Sequence, residues 1–187
     1  MKYILLPIHP EWCCKLMNGD KKTEVRRGTA LYNAIDRLIK EQGKAPCLIY
    51  CTKGKPTLLP KNRYRPRFMV APYVNFEKNP LNGKVVAMFE AEPDRIFNVR
   101  YGADEDECAK EHVYETSLLG REDLERSSCL EYDQLLKYLG EEWDDGYIGT
   151  AIHVKSGTMR TDGFPKDLSD YGVRKAPQSF VYVEVEE

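Results

Sequence analysis

The chain has 187 residues, 42% of them hydrophobic and 31% charged, with a net charge of −2, which is enough for one sizeable core and short for two independent ones. No run approaches the roughly 20 apolar residues of a membrane span, and the apolar opening MKYILLPIHPEW is too short for a signal peptide. The expectation is one soluble, cytoplasmic domain over 1–187 with no membrane partner.

In chain order, the apolar run in Lys2 to Ile8 predicts a buried strand, with Pro7 near a sheet end. Pro10 suits a first helical position and Glu11 complements the positive end of the helix dipole, so a short helix follows. Trp12, Cys13, Leu16 and Met17 form its apolar stripe, and Asn18-Gly19 closes it. Lys21 to Arg27 reads as an extended run ended by Gly28. A second helix is predicted over Thr29 to Gln42, with Thr29 as cap, Gly43 as stop and Leu31, Ala34, Ile35, Leu38 and Ile39 at helical spacing. Pro46 to Thr52 predicts a short buried strand, and Gly83 to Ala91 another. A weak helix is drawn over Asp104 to His112. A third helix is expected over Ser128 to Gly140, with Tyr132, Leu135, Leu136 and Leu139 as its stripe. Asp145-Gly146 marks a turn into a central strand, Tyr147 to Val154, and the segment from Met159 to Ser179 is loop-like. Phe180 to Glu186 alternates as a half-buried strand. Strands and helices in this non-alternating order predict an α+β fold: a small mixed β-barrel of about six strands with about three helices packed around it.

Charge is unevenly distributed. Asp104 to Asp145 holds fifteen acidic and four basic residues, a local −11 that leaves +9 for the rest. The expectation there is an acidic helical insertion over 104–145. The basic, Pro-rich loop 53–82 opens with KGKPTLLPKNRYRPR, six cations and no acid, with Tyr64 interleaved. Such a run suits a phosphate backbone plus base stacking, and equally a solvated loop held extended by its cations.

Strand parity sorts the charges after the first helix: Lys22, Glu24 and Arg26 share one face, Thr23 and Val25 the other, with Lys21 at the turn end. In one reading this is a solvated edge strand whose ion pairs contribute roughly 0–1 kcal/mol. In the other, Glu24 sits ionised between cations, orients Arg26, and leaves Lys21 or Lys22 facing a ligand phosphate or carbonyl. The six cysteines (13, 14, 47, 51, 108 and 129) include no CxxC pair, so buried small hydrophobes are the default and no metal or cofactor is expected. Zinc ligation with His9 or His153 is the alternative. There is no GxGxxG, Walker loop, GxSxG or HExxH, and His153 reads as a core or rim residue.

The segment ILLPIHPEWCCKLMNGDKKTEVRR resembles the opening signature of ASCH domains of the PUA-like superfamily: an apolar strand, a helix, then Gly-x-Lys-x-x-Glu-x-Arg, here Gly19, Lys21, Glu24 and Arg26. CLIYCTKGK, NGKVVAMFEAEPDRI, SCLEYDQLLKYLG before GYIGTAIHV, and APQSFVYVEV are similar to segments of bacterial and phage-associated members, in the same order. Some related members carry a cysteine-rich insert before the final strand, whereas Gly157 to Ala176 has no cysteine. The resemblance implies a PUA-like barrel with a cleft beside the first helix for RNA or a nucleotide-like ligand, faced by Lys21, Glu24 and Arg26. On that reading Lys21, Lys22, Arg26 and Arg27 contact phosphate, Glu24 orients them, and Trp12 or Tyr64 stacks on a base. Small superfamily members that deacetylate N4-acetylcytidine with a lysine, a threonine and a glutamate imply an amidohydrolase alternative, with Lys21, Glu24 and Glu90 as catalytic residues. Here their threonine aligns with Glu24 and their glutamate maps loosely onto Glu90, and Thr23 has the wrong parity to substitute. A third class is a protein-partner module of a mobile element that uses the acidic face. Oligomeric state is not legible in the residues.

Overall fold

The computed structural model describes residues 1–72, 80–101, 111–139 and 147–185. The fold is α+β. Strands β1 (Lys2–Ile8), β2 (Thr23–Arg27), β3 (Pro46–Cys51), β6 (Val85–Tyr101), β7 (Glu111–Thr116), β8 (Tyr147–Val154) and β9 (Val181–Glu184) form one mixed sheet, while β4 (Thr57–Leu59) and β5 (Met69–Ala71) pair as a separate hairpin. Helices α1 (Pro10–Met17), α2 (Ala30–Gln42), α3 (Arg121–Ser128) and α4 (Tyr132–Leu139) pack on the sheet, and a 3₁₀ turn covers Leu168–Tyr171. None of the helices among the described residues is long and apolar enough to cross a membrane.

The sheet order is β2-β8-β6-β3-β1-β9, with β7 also on β6. Only β1 and β3 run parallel; the other pairs are antiparallel. Alternate residues of β1 enter different cores, Ile4, Leu6 and Ile8 under α1 and α2, and Leu5 against β9 and the 3₁₀ turn. A strand covered on both faces reads as a continuous apolar run, which is why YILLPI shows no alternation. A third core joins α3 and α4 to β2 and β8 through Val25, Leu124, Leu135, Leu139 and Ile148.

The strand path is open, ending at β2 and β9, rather than a barrel closed by strand pairing. It nevertheless curls. β2 and β1 are four strand steps apart, about 19 Å across a flat sheet, yet the Arg26 guanidinium on β2 donates to the Pro7 carbonyl on β1 at 2.7 Å. One side chain spans that gap only if the sheet wraps.

Several elements differ from the sequence expectation. Thr29 stands at the α2 N-cap position with helical backbone angles and makes no capping hydrogen bond, while Gly43 closes that helix with φ +77° as expected. The buried set on α1 is Pro10, Cys13, Cys14 and Leu16, and Trp12 and Met17 sit at its margin. The strand entered at Asn82-Gly83 runs on for 17 residues because its second half pairs with β8 and β7. The basic loop 53–82 carries the β4–β5 hairpin, and the expected acidic helical insertion holds a strand, β7, besides two short helices. The third helix begins at Tyr132, after α3 has ended at Ser128. The weak helix over Asp104 to His112 is drawn mostly outside the described residues, its last two positions entering β7; the Asp145-Gly146 turn and Gly140, the last residue of the expected third helix, lie wholly outside.

Asp94 on β6 fastens the start of the α3 segment. It is 4% exposed and accepts hydrogen bonds from the Ser117 hydroxyl (2.5 Å), the Arg95 N–H (2.8 Å) and the Leu118 N–H (3.1 Å). Burial works to raise its pKa, but the hydrogen bonds from Ser117, Thr116, Arg95 and Leu118 outweigh it and hold the carboxyl below the usual aspartate value. A depressed folded-state pKa means stability that is present above the unfolded pKa, near about 3.9, and is lost as pH falls through the folded value. Asp94→Asn should cost about 1–3 kcal/mol at neutral pH, with the gap from wild type closing on acidification; urea midpoints at the two pH values decide it, and a pH-independent gap refutes the account.

Candidate functional site

The approach to the site is set by how α1 ends. Gly19 takes φ +77°, and the N–H groups of Asp20 and Lys21 turn back onto the Lys15 carbonyl at 2.9 and 3.1 Å, which reverses the chain under the helix. Lys21 is thereby delivered inside the molecule before β2 begins at Thr23. It is 2% exposed, whereas Lys22 is exposed. Strand alternation begins only at Thr23, after the reversal at Gly19 has already turned Lys21 inward, so Lys21, and not Lys22, joins Glu24 and Arg26.

The three side chains form a compact ion group. Lys21 Nζ lies 3.4 Å from Glu24 Oε2, and Arg26 Nε lies 3.0 Å from Glu24 Oε1. Glu24 is 7% exposed, so this is not a solvated edge strand. Each cation also reaches a different part of the fold. Lys21 donates to the Ser128 carbonyl at the end of α3 (2.7 Å) and lies 4.9 Å over the Trp12 ring, while Arg26 donates to Pro7. Burial pushes the Lys21 ammonium below the ordinary lysine range, and the neighbouring Glu24 carboxylate counters part of that shift. The Arg26 Nε–H is close to Glu24 but turned off it, so the contact is charge on charge and this buried N–H has no hydrogen-bond acceptor among the described residues.

These groups line a cavity of about 540 Å³ with Pro7, Ile8, His9, Trp12, Val25, Leu130, Gln134, Lys137 and Tyr138. Its charges are three cations (Lys21, Arg26, Lys137) and one carboxylate, so it favours an anion. Trp12 is a wall whose ring is already approached by Lys21 and, at 4.5 Å, by Lys15. The aromatic ring open to a ligand is Tyr138, 45% exposed. Gln134, Lys137 and Tyr138 come from the exposed side of α4, next to its buried Leu135 and Leu139. They stand at i, i+3 and i+4, a spacing readable in the sequence but overshadowed by the apolar stripe beside it.

The other sequence-derived residues lie apart from the cavity lining. Lys22 borders a separate hollow with Asp20, Asp123 and Arg126, and Arg27 is exposed at the end of β2. Tyr64 is 79% exposed on the β4–β5 hairpin. Glu90 on β6 pairs with Lys155 at 3.5 Å. Thr23 is buried, and its hydroxyl shares a 2.9 Å hydrogen bond with His153 Nδ1, whose Nε2 lies 3.6 Å from Asp94. Cys13, Cys14, Cys47 and Cys51 are buried free thiols and Cys129 a half-buried one, and burial pushes the Cys47 thiol far above its ordinary value. No cluster of three His, Cys, Asp or Glu side chains suited to a metal occurs among the described residues. No protein-family model matches the chain, and no curated protein matches it.

If the trio acts as one unit, Glu24→Gln strands a buried ammonium and should cost about 3 kcal/mol. Adding Lys21→Met should cost less than the sum of the two single changes, because the second removes the stranded charge. Urea unfolding of the four proteins measures the coupling; strict additivity refutes it.

Proposed function

We propose that this chain is an ASCH-type, PUA-like module that binds RNA or a nucleotide-like ligand in the cavity between α1, β2 and α4. The observation that carries the reading is Glu24, buried at the cavity wall between two cations, with an unsatisfied Arg26 N–H beside it. Glu24 keeps spare acceptor capacity for a base N–H, Arg26 and Lys137 supply donors and charge for phosphate, and Tyr138 offers a ring for stacking. The cavity volume of about 540 Å³ falls within the range of small-ligand sites.

A second reading, hydrolysis of an acylated pyrimidine nucleoside, draws support from Lys21, whose proton affinity is lowered beside a carboxylate. It lacks a hydroxyl nucleophile placed like the family's threonine: Thr23 is hydrogen-bonded to His153, and Glu90 is held by Lys155 away from the lining.

Calorimetric titration with a nucleoside monophosphate should give saturable binding that weakens as salt rises. Lys137→Ala and Tyr138→Ala should each weaken it about tenfold, the latter in line with the loss of one stacking contact. Binding untouched by both variants defeats the cavity reading. Incubation with N4-acetylcytidine should release no cytidine; release that is abolished by Lys21→Ala would favour the hydrolase instead.

A further inference from the structure

The β4–β5 hairpin ends in a turn that the cavity does not use. The turn is built to hold one shape. Asn62 and Arg65 exchange backbone hydrogen bonds (2.7 and 3.0 Å), and the Asn62 side-chain oxygen accepts from the N–H groups of Tyr64 and Arg65, both at 2.9 Å. Arg65 Nε closes the base on the Pro60 carbonyl at 3.1 Å. The hairpin is anchored by Leu58, Leu59 and Phe68, all buried, and by Asn18, the residue that caps the C-terminus of α1 and exchanges hydrogen bonds with the Phe68 backbone at 2.9 and 3.0 Å. Tyr64 contributes nothing to that anchor. It is 79% exposed at the tip, with the Arg63 guanidinium 4.3 Å over its ring and hydrogen-bonded to its hydroxyl. Lys61, Arg63 and Arg67 are exposed around it, and between Lys53 and Arg67 there is no acid. A loop kept only for solubility needs the cations, but not an unburied aromatic ring on a preorganised turn.

The turn and the cavity share a helix. Trp12 and His9 at one end of α1 line the cavity, and Asn18 with Asp20, which pairs with Arg67 at 2.6 Å, holds the hairpin at the other. At 1.5 Å per residue, Trp12 and Asn18 are about 9 Å apart along the axis. We propose that the tip Lys61–Arg63–Tyr64 is a second contact surface for single-stranded nucleic acid, stacking one base on Tyr64 and holding flanking phosphates. The physiological ligand of the cavity is then one nucleotide of a strand and not a free nucleotide. This rests on the cavity reading above. The chemistry recognised, a phosphodiester chain with unpaired bases, is common to RNA and DNA.

The test is anisotropy of a labelled single strand of about ten nucleotides, as RNA and as DNA, titrated with the full chain over a range of salt. Lys61→Ala with Arg63→Ala should weaken binding and reduce the slope of log affinity against log salt by about 1.4, two phosphate contacts' worth on a single strand. Tyr64→Ala should weaken it about tenfold at every salt concentration, leaving the slope unchanged, and Tyr64→Phe should bind like the wild type. All these tip residues are exposed, so folding is not at stake. Wild-type affinity and slope in the tip variants overturn the proposal, as does a loss of binding confined to anionic phosphatidylserine vesicles. A nucleoside monophosphate titrated in parallel separates the two readings: tip variants that bind it normally but hold the strand weakly support the proposal. Failure of wild-type protein to bind the monophosphate, with strand binding still dependent on the tip, removes the cavity reading and with it the assignment of one strand nucleotide to the cavity. RNA bound more tightly than DNA assigns the strand to RNA; equal binding retains the proposal for both.

Discussion

The Glu24 carboxylate, held out of water between Lys21 and Arg26, is the contact on which the arrangement of this molecule turns. Each cation answers to two masters. Lys21 joins Glu24 to the last carbonyl of α3, and Arg26 joins Glu24 to the Pro7 carbonyl of β1. Through four polar contacts, β2 is fixed against an α-helical segment more than a hundred residues away and against the strand at the far side of the curled sheet. Hydrophobic burial is non-directional and would leave the width of the sheet's open mouth poorly defined. Directional contacts from a short strand define it.

Stability alone does not explain such a group. Taking three charges out of water costs several kcal/mol per ion, and well-packed apolar residues of similar volume commonly do as well or better. The neighbours of the trio, Cys13, Val25 and Ile8, show that this region is apolar enough for the replacement. What apolar residues cannot supply is a carboxylate and two cationic side chains in the wall of a cavity. The trio therefore fits a binding site that also holds the fold together more economically than a structural device that happens to border a hollow.

Much of the fold was legible because burial on both faces leaves a plain record. YILLPI, PCLIYC and the α2 periodicity each predict their elements to within a residue or two. Helix α1 follows from Pro10 and Gly19, and Cys13 and Leu16 of its expected stripe are buried; Pro10 and Cys14 complete the buried face, while Trp12 and Met17 pack at its margin and Trp12 also serves as a cavity wall. The hairpin was hidden because its two strands are three residues each, too short for any period to show. The site was half legible. Lys21, Glu24 and Arg26 are visible as a charge pattern, yet which lysine turns inward depends on the reversal at Gly19, a backbone event and not a matter of strand parity. The α4 wall was missed because a helix with one apolar stripe draws attention to that stripe, although its exposed side, Gln134, Lys137 and Tyr138, is the one that meets the cavity.

The position of that wall traces to a missing side chain. Gly149 on β8 pairs with Arg27, and a Cβ there would come within 2.8 Å of Leu139 Cδ2 on α4 and 3.0 Å of the Arg26 carbonyl on β2. The leucine end is flexible enough to yield; the Arg26 carbonyl is backbone held in the β2–β8 ladder and is not. With no side chain at Gly149, α4 settles directly onto the β2–β8 ladder, and Leu135 and Leu139 bury in the same core as Val25. Tyr138 and Lys137 are then carried toward Glu24 by packing that also sets the Arg26 backbone. The distance between the charged floor and the aromatic wall is thus determined by close approach at one glycine, and it remains fixed as long as the ion trio keeps β2 in place.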